Sequence, residues 1–195
     1  MKETGILFKP EMIRAILDGR KTQTRRLIKF KNPRADCIWC YGKGFEYIDC
    51  QNEYSGYDYR KPCRCCWSKC PHGRKGDLLY VKEGFVLNYS DDIRIAYKTD
   101  WHGAITEYAS PPKWTSPLFM PKKYARIWLE LVADPIPQRL RDISEEDAFA
   151  EGISEFFKNG LACAQFACLW ESINGAGTWK KNPWVWKLEF KRIER

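Results

Sequence analysis

Residues 19–26 read Gly-Arg-Lys-Thr-Gln-Thr-Arg-Arg, and this basic stretch follows directly on a segment with helical periodicity. Apolar residues recur at helical spacing over 12–17, and Gly19 is a natural C-terminal stop, so a short helix is predicted over 10–18. Residues 20–34 contain seven basic side chains and no acidic one. Because cations are rarely buried unless they are paired, packing alone does not require such a run. We therefore expect the function to be centred on the basic stretch.

The basic stretch supports two kinds of chemistry. Its arginines, Arg20, Arg25 and Arg26, are suited to bind the phosphates of a nucleic acid or nucleotide. The Thr24 hydroxyl can attack an acyl carbon when a neighbouring base takes its proton, and a neutral Lys21 amine is such a base. We expect the three arginines to lower the pKa of Lys21. Since side chains alternate along a flat strand, a joint site for Lys21 and Thr24 requires a turn or bulge between them.

The bulk composition is that of a soluble, basic, single-domain protein. The 195 residues are 44% hydrophobic and 30% charged, and 33 basic against 25 acidic side chains give a formal charge of +8. This charge favours a polyanionic partner but does not identify which polyanion it is. The sequence lacks an apolar run of about 18 residues and an N-terminal signal-peptide pattern, so we expect a cytoplasmic protein with no membrane segment. In a reducing compartment, cysteines serve metals or packing rather than disulfides.

The remaining pattern predicts an α+β fold with a small, largely antiparallel sheet or barrel. Short strands are predicted over 6–8, 78–81 and 93–97, and a half-buried strand over 124–132. The strand over 124–132 places Ile127, Leu129 and Leu131 on one face and Arg126, Trp128 and Glu130 on the other. Ser144 is a suitable N-cap for a helix ended by Gly152, and a second helix is predicted over 154–173. Alternation over 184–190 predicts a closing strand.

Residues 34–76 differ in composition, because they contain seven of the nine cysteines and little regular periodicity. Cys37 and Cys40 form a knuckle with two residues between the thiols, and two such pairs supply the four thiolates of a closed zinc site. The second pair is ambiguous: Cys63/Cys66 and Cys66/Cys70 are both feasible, and Cys65 competes. We predict a structural zinc bound by Cys37, Cys40, Cys63 and Cys66. Free buried thiols and an iron–sulfur cluster are the alternatives.

The remaining cysteines give weaker indications. Cys163 and Cys168 lie in an apolar helical segment and are predicted to be core residues. Cys50 has no assigned role.

The basic stretch resembles the signature of the ASCH family, Gly-x-Lys-x-x-(Thr or Glu)-x-Arg, with Gly19, Lys21, Thr24 and Arg26 at its fixed positions. Residues 70–77, 142–148 and 182–186 also resemble phage and prophage members of this family. The resemblance covers most of the chain outside the insertion. It implies one PUA-like domain over 1–195, a small β-barrel with flanking helices, interrupted by a zinc-binding insertion over 34–76. It also implies RNA or a modified nucleoside as partner.

One bacterial branch of the family is an N(4)-acetylcytidine amidohydrolase, and the match to its motif gives Lys21 and Thr24 catalytic roles. Its glutamate is matched by Glu151, in a helix similar to 143–153. This chain differs in being about twice as long and in carrying the insertion. A carboxylate in the last turn of a helix faces the negative end of the dipole at a cost of about 0.3–1 kcal/mol. Such a costly position suits a general acid or base. The alternative is that Glu151 is a solvated helix terminus.

The sequence thus predicts an RNA- or modified-nucleoside-binding domain with amidohydrolase activity on an acylated base. Trp128 or Trp186 is expected to offer a stacking surface for that base. One alternative is a non-enzymatic phage interaction or assembly protein whose basic face docks a partner. A nuclease is the other alternative, although His72 and His102 are few histidines for acid–base catalysis.

Overall fold

The computed structural model describes residues 1–28, 70–87, 94–101, 112–154 and 161–195. The strands within these ranges are β1 (Glu3–Leu7), β2 (Gln23–Leu27), β3 (Leu78–Lys82), β4 (Phe85–Leu87), β5 (Ile95–Tyr97), β6 (Trp128–Leu131), β7 (Ile136–Arg139) and β8 (Trp184–Ile193). The α-helices are α1 (Pro10–Leu17), α2 (Glu145–Ala150) and α3 (Ala162–Asn174). Short 3-10 turns lie at Lys98–Asp100, Pro117–Phe119, Lys122–Tyr124 and Leu140–Asp142.

The main sheet has six strands in the order β1-β3-β6-β8-β2, and β7 also pairs with β8. Strands β1 and β3 are parallel, and every other pairing in this sheet is antiparallel. The long strand β8 pairs with β6 through residues 190–193 and with β2 and β7 through residues 184–189. The sheet therefore curls into a half-barrel, and β4 and β5 form a separate hairpin. The predicted α+β class is confirmed.

Two apolar clusters fill the two sides of the curled sheet. The first packs α1 against the sheet and includes Ile13, Leu129 and Leu188. The second lies under α2 and α3 and includes Phe166, Trp170 and Val185. Because helices cover this second side, Val185 and Leu188 are both buried although they belong to opposite faces of β8. The basic stretch runs between the two clusters and places β2 next to β8.

The predicted helix boundaries agree well with the structure where local chemistry sets them. Ser144 caps α2, since its Oγ accepts a hydrogen bond from the Asp147 N–H at 3.1 Å. Helix α3 stops before Gly175, whose φ is +98°. The prediction of a helix beginning at Ser154 is wrong, because Ser154 is not helical and α3 begins at Ala162. Residues 155–160, which lie between them, are outside the described ranges.

The predicted strand over 124–132 is too long at its start. The 3-10 turn Lys122–Tyr124 precedes it, and β6 begins only at Trp128. Trp128 is buried rather than solvent-facing, because its ring packs against Tyr80 and its indole N–H donates to the Ala125 carbonyl. Strands β2 and β7 were not predicted from the sequence.

The cysteines proposed as zinc ligands, Cys37, Cys40, Cys63 and Cys66, all lie outside the described residues, and so does Cys50. Within the described ranges, no group of three or more His, Cys, Asp or Glu side chains is placed to hold a metal ion. Cys163 packs against the second apolar cluster. The prediction of a core position for Cys168 is wrong, since this side chain is exposed on the outer face of α3. No helix of the described part of the chain is long and apolar enough to cross a membrane.

Candidate active site

The junction between α1 and β2 places Lys21 and Thr24 in the wall of one cavity. Gly19 has a φ of +75° and turns the chain away from α1. The Lys21 N–H then donates to the Ala15 carbonyl, and the Thr22 N–H to the Ala150 carbonyl, both at 2.9 Å. Because β2 begins only at Gln23, Lys21 precedes the strand and the strict alternation of a flat strand does not separate it from Thr24.

The end of α2 brings Glu151 to the same cavity. Glu151 is the C-cap of this helix, and Gly152 follows with a φ of +95°. A Cβ on Gly152 would lie 3.0 Å from the Ala15 Cβ and 3.2 Å from the Lys21 Cβ, so only glycine lets the helix end approach α1 this closely. Glu151 is 3% exposed. The interpretation of Glu151 as a solvated helix terminus is therefore wrong.

Glu151 shares its carboxylate between two buried cations. The Lys21 Nζ donates to Glu151 Oε2 at 2.7 Å, and the Arg25 Nη1 donates to Glu151 Oε1 at 3.1 Å. The Lys21 Nζ also donates to the Glu151 backbone carbonyl at 2.7 Å, which places a cation at the negative end of α2. The three side chains are at most 4% exposed, so this is a fully desolvated ion cluster.

The cluster continues from Arg25 to the protein surface through alternating charges. The Arg25 Nη2 donates to Asp147 Oδ2 at 2.6 Å, and Lys187 donates to Asp147 Oδ1 at 3.0 Å. Lys187 also pairs with Glu189 at 3.1 Å. With its amide oxygen turned towards Arg25, Gln138 accepts from Nη2 and Nε at 2.9 and 3.0 Å. Three cations thus balance three carboxylates, and the donors of Arg25 are occupied inside the protein.

The pKa of Lys21 is lowered, and burial is the main cause. Its ion pair with Glu151 opposes this effect, while the nearby charges of Arg26 and Arg25 add to it. Two of the three arginines considered in the sequence therefore contribute as expected, but less than burial does. Arg20 is absent from these causes, because it lies at the surface and pairs with Asp18 at 2.9 Å.

Arg26 lines the same cavity. Its guanidinium stacks over the Phe8 ring at 4.9 Å and its Nη2 donates to the Leu7 carbonyl at 2.6 Å. The Phe8 ring also lies 5.6 Å from the Lys21 Nζ. Phe8 therefore contacts both cations and forms an aromatic wall beside them.

The cavity has a volume of about 440 Å³ and is lined by charged and apolar side chains. Its apolar walls come from the end of β1, from α1, β2, the turn at 117–119 and α3, namely Leu7, Phe8, Met12, Leu27, Leu118, Phe166, Leu169, Trp170 and Ile173. Thr24 is 4% exposed and lines the same cavity. The cavity thus combines a buried amine, a carboxylate and a hydroxyl with ring-lined walls.

The aromatic residues of the cavity are not the ones that the sequence suggested. Trp186 is buried in the first apolar cluster, and Trp128 packs on Tyr80, so neither lines the cavity. Phe166 and Trp170 do line it, from two successive turns of α3. Their spacing of four residues is the signal that would have found them, because residues at i and i+4 share a helix face.

No protein-family model, curated protein or solved structure matches this chain. The chemistry of the cavity is therefore defined by its own side chains. Thr24 lines the same cavity as Lys21, although the Lys21 Nζ donates to Glu151 and not to the Thr24 hydroxyl. An amine of lowered pKa can activate such a hydroxyl once the two are brought within hydrogen-bond reach, and a carboxylate 2.7 Å from that amine can exchange protons with it.

Proposed function

We propose that this protein is a hydrolase that cleaves the amide of an acylated nucleobase, of the N(4)-acetylcytidine type, within an ASCH-like domain of PUA-like fold. The observation that carries the proposal is the buried Lys21–Glu151 ion pair, 2.7 Å long, in the same cavity as the Thr24 hydroxyl. The resemblance of the basic stretch to the ASCH signature gives the substrate class. Trp170 and Phe166 line the cavity with aromatic rings on which a planar base can stack.

The proposed reaction uses Thr24 as nucleophile and Lys21 as base. Burial favours the neutral form of the Lys21 amine, which takes the proton of the Thr24 hydroxyl as its oxygen attacks the acyl carbon. The amide C–N bond then breaks, the acyl group remains as an ester on Thr24, and Lys21 returns the proton to the leaving exocyclic amine. Water hydrolyses the ester, which releases the carboxylic acid and restores the Thr24 hydroxyl.

Glu151 and Arg25 keep the base in position during these steps. The Glu151 carboxylate accepts from Lys21 on one oxygen and from Arg25 on the other, so its orientation is fixed. A proton moving between Lys21 and Glu151 crosses one short hydrogen bond.

The size of the cavity agrees with such a substrate. Its volume of about 440 Å³ lies within the usual range for small-molecule sites, about 300–1,000 Å³. Apolar walls with a few convergent polar groups are also typical of such sites.

The test is to incubate the protein with N(4)-acetylcytidine and to measure acetate release. Thr24→Ala is expected to abolish turnover and to leave nucleoside binding nearly intact, because the hydroxyl acts on the reaction rather than on ground-state affinity. Thr22→Ala is the matched control, since this threonine is exposed, two residues away and outside the cavity lining. Absence of acetate release from the unaltered protein, or unchanged turnover in Thr24→Ala, would contradict the proposal.

The proposal includes three further elements that stay predictions. The first is RNA binding through Arg20, Arg25 and Arg26, although Arg25 is buried and donates to Glu151 and Asp147 inside the protein. The second is a cytoplasmic location. The third is a structural zinc at Cys37, Cys40, Cys63 and Cys66, and elemental analysis is expected to find one zinc per chain.

The nuclease alternative gains no support from His72. Burial lowers the pKa of this imidazole to about 4, with smaller contributions from Arg26 and Lys2. His72 is therefore neutral near pH 7, and it does not line the cavity.

A further inference from the structure

A second cavity, of about 360 Å³, adjoins the proposed active site. Phe8, Ser116 and Pro117 line both cavities, so one ring and one short turn form the wall between them. The second cavity is otherwise lined by residues that the proposed reaction does not use, among them Lys98 and Trp114. A ligand that filled both cavities would pass across Phe8.

Trp114 offers the second cavity an aromatic surface. Its ring is half-buried and is supported edge-on by Trp101, with the ring centroids 6.0 Å apart and the planes at 69°. Aromatic rings that are held in this way serve as stacking surfaces for bases in proteins that bind single strands. Stacking of this kind tolerates different bases, because each base has a π-face.

Lys98 supplies a cation to the same cavity. Its N–H donates to the Gly84 carbonyl at 2.7 Å, and its side chain lies against Gly84, where a Cβ would come within 3.2 Å of the Lys98 Cβ. Lys98 is exposed, so its ammonium group is open to an anionic ligand. Lys98 therefore differs from Arg25, whose donors are occupied by carboxylates of the protein.

We infer that the substrate of the proposed hydrolase is an acylated nucleotide within an oligoribonucleotide, rather than a free nucleoside. The acylated base occupies the first cavity, the neighbouring base stacks on Trp114 in the second, and the phosphate linked to it pairs with Lys98. This inference rests on the proposed function and adds to it a second base-binding site. The apolar walls of the first cavity take the acylated base, and the Lys98 cation of the second takes the phosphate.

The test compares ligands of one and two nucleotides on the Thr24→Ala variant, which is expected not to consume them. The ligands are N(4)-acetylcytidine and the two dinucleoside monophosphates that carry this nucleoside on the 5′ or the 3′ side. Calorimetric titration is expected to show that one dinucleotide binds at least about tenfold more tightly than the nucleoside. The same ratio is expected in kcat/KM with the active protein.

Variants of the second cavity then separate its contribution from that of the first. Trp114→Ala is expected to remove most of the tenfold dinucleotide preference, and Lys98→Ala to lower the salt dependence of dinucleotide binding by a slope of about 0.7. Neither change is expected to alter binding of the nucleoside. The matched controls are Phe119→Ala, an aromatic residue that is 71% exposed and lines neither cavity, and Lys123→Ala, a cation outside both linings.

The outcomes distinguish this inference from the proposed function. Acetate release from the nucleoside, together with equal affinities for nucleoside and dinucleotides, would overturn the inference alone. Weakening of nucleoside binding by Trp114→Ala to the same extent as dinucleotide binding would also overturn it. A dinucleotide preference that Trp114→Ala removes, without acetate release, would support the two-base site and reject the hydrolase.

Discussion

Two ion clusters in this protein have opposite compositions. At Glu151, one carboxylate is shared by two buried cations, Lys21 and Arg25. At Arg126, one cation is shared by two carboxylates, the buried Glu83 and the exposed Asp100. Glu83 is 0% exposed and accepts two hydrogen bonds of 2.9 Å from Arg126, whose guanidinium also covers the Tyr97 ring at 4.1 Å. The first cluster lines a cavity, whereas the second reaches the protein surface at Asp100.

The difference in composition decides how firmly each cation holds its proton. Burial lowers the pKa of both Lys21 and Arg126, and nearby carboxylates raise it. For Arg126 the hydrogen bonds to Glu83 and Asp100 outweigh burial, so its pKa rises. For Lys21 burial outweighs the single, shared carboxylate, so its pKa falls. The cation with the lowered pKa is thus the one that shares a single carboxylate and lines a cavity.

The largest expected effect separates the two buried carboxylates. Glu151→Gln is expected to lower kcat/KM on N(4)-acetylcytidine by about 10²–10⁴-fold, because the base loses the group that positions it and exchanges protons with it. Glu83→Gln is expected to leave kcat/KM unchanged. Each change removes a charge from a buried pair and is expected to lower the free energy of unfolding by about 3–5 kcal/mol. Steady-state kinetics measure the expected difference in activity, and urea denaturation measures the expected losses of stability. An equal loss of activity in both variants would contradict the prediction.

A smaller effect concerns the glycine that follows each buried carboxylate. Gly152 has a φ of +95°, and a Cβ there would meet Ala15 and Lys21, whereas Gly84 lacks a positive φ and a Cβ there would meet the flexible side chain of Lys98. Gly152→Ala is expected to lower the free energy of unfolding by about 1–2 kcal/mol through backbone strain and by a further 1–3 kcal/mol, roughly, through overpacking. Gly84→Ala is expected to cost less than about 1 kcal/mol. Urea denaturation of the two variants measures the difference, and equal losses would contradict it.

The smallest effect is a shift in the pH dependence of the reaction. Activity is expected to rise with pH as Lys21 loses its proton, and to level off above the lowered pKa of this amine. Arg25→Gln removes a neighbouring cation and leaves Glu151 to Lys21 alone, so the pKa of Lys21 is expected to rise. At pH values below the pKa of Lys21, each unit of that rise lowers kcat/KM about tenfold. Arg126→Gln is the control and is expected to leave the pH profile in place.

The same lowered pKa predicts how stability depends on pH. Between the folded-state pKa of Lys21 and its ordinary value of 10.5, the unfolded chain binds more protons than the folded one. The free energy of unfolding is therefore expected to rise with pH over this interval. Thermal unfolding of Lys21→Met and of the unaltered protein across this range measures the contribution, which the variant is expected to lack.

Elements whose signals are local could be predicted from the sequence. Proline at the start of α1, the Ser144 side chain and Gly175 each act on their own helix ends, and α1, α2 and the end of α3 lie close to the predicted positions. Strand β2 has no such signal, because its polar and charged residues do not show the alternation of apolar and polar positions that is typical of a strand. Arg25 faces the interior only because Glu151, Asp147 and Gln138 meet it there, and these partners lie more than 110 residues away.

The candidate site also depends on contacts between residues that are far apart in the sequence. Spacing alone does not place Lys21 beside Glu151, since the two are 130 residues apart, and only the resemblance to the ASCH signature selected this carboxylate. The cavity walls depend on how α3 packs against β1 and β2, which apolar patterning does not determine. The sequence does not distinguish Trp170, which lines the cavity, from Trp186, which does not, because both residues are large, aromatic and regularly spaced.

The pairing of β2 with β8 has a consequence during synthesis. Thr24 lies opposite Leu188, and the Phe190 N–H donates to the Thr22 carbonyl at 2.8 Å, so the wall of the cavity needs a strand made about 160 residues later. At ribosomal rates of about 5–20 residues per second, this separation corresponds to roughly 8–30 s. Throughout that interval Lys21 and Thr24 lie on a nascent chain that lacks the partner strand. We therefore expect the proposed activity to begin only when β8 has left the ribosome.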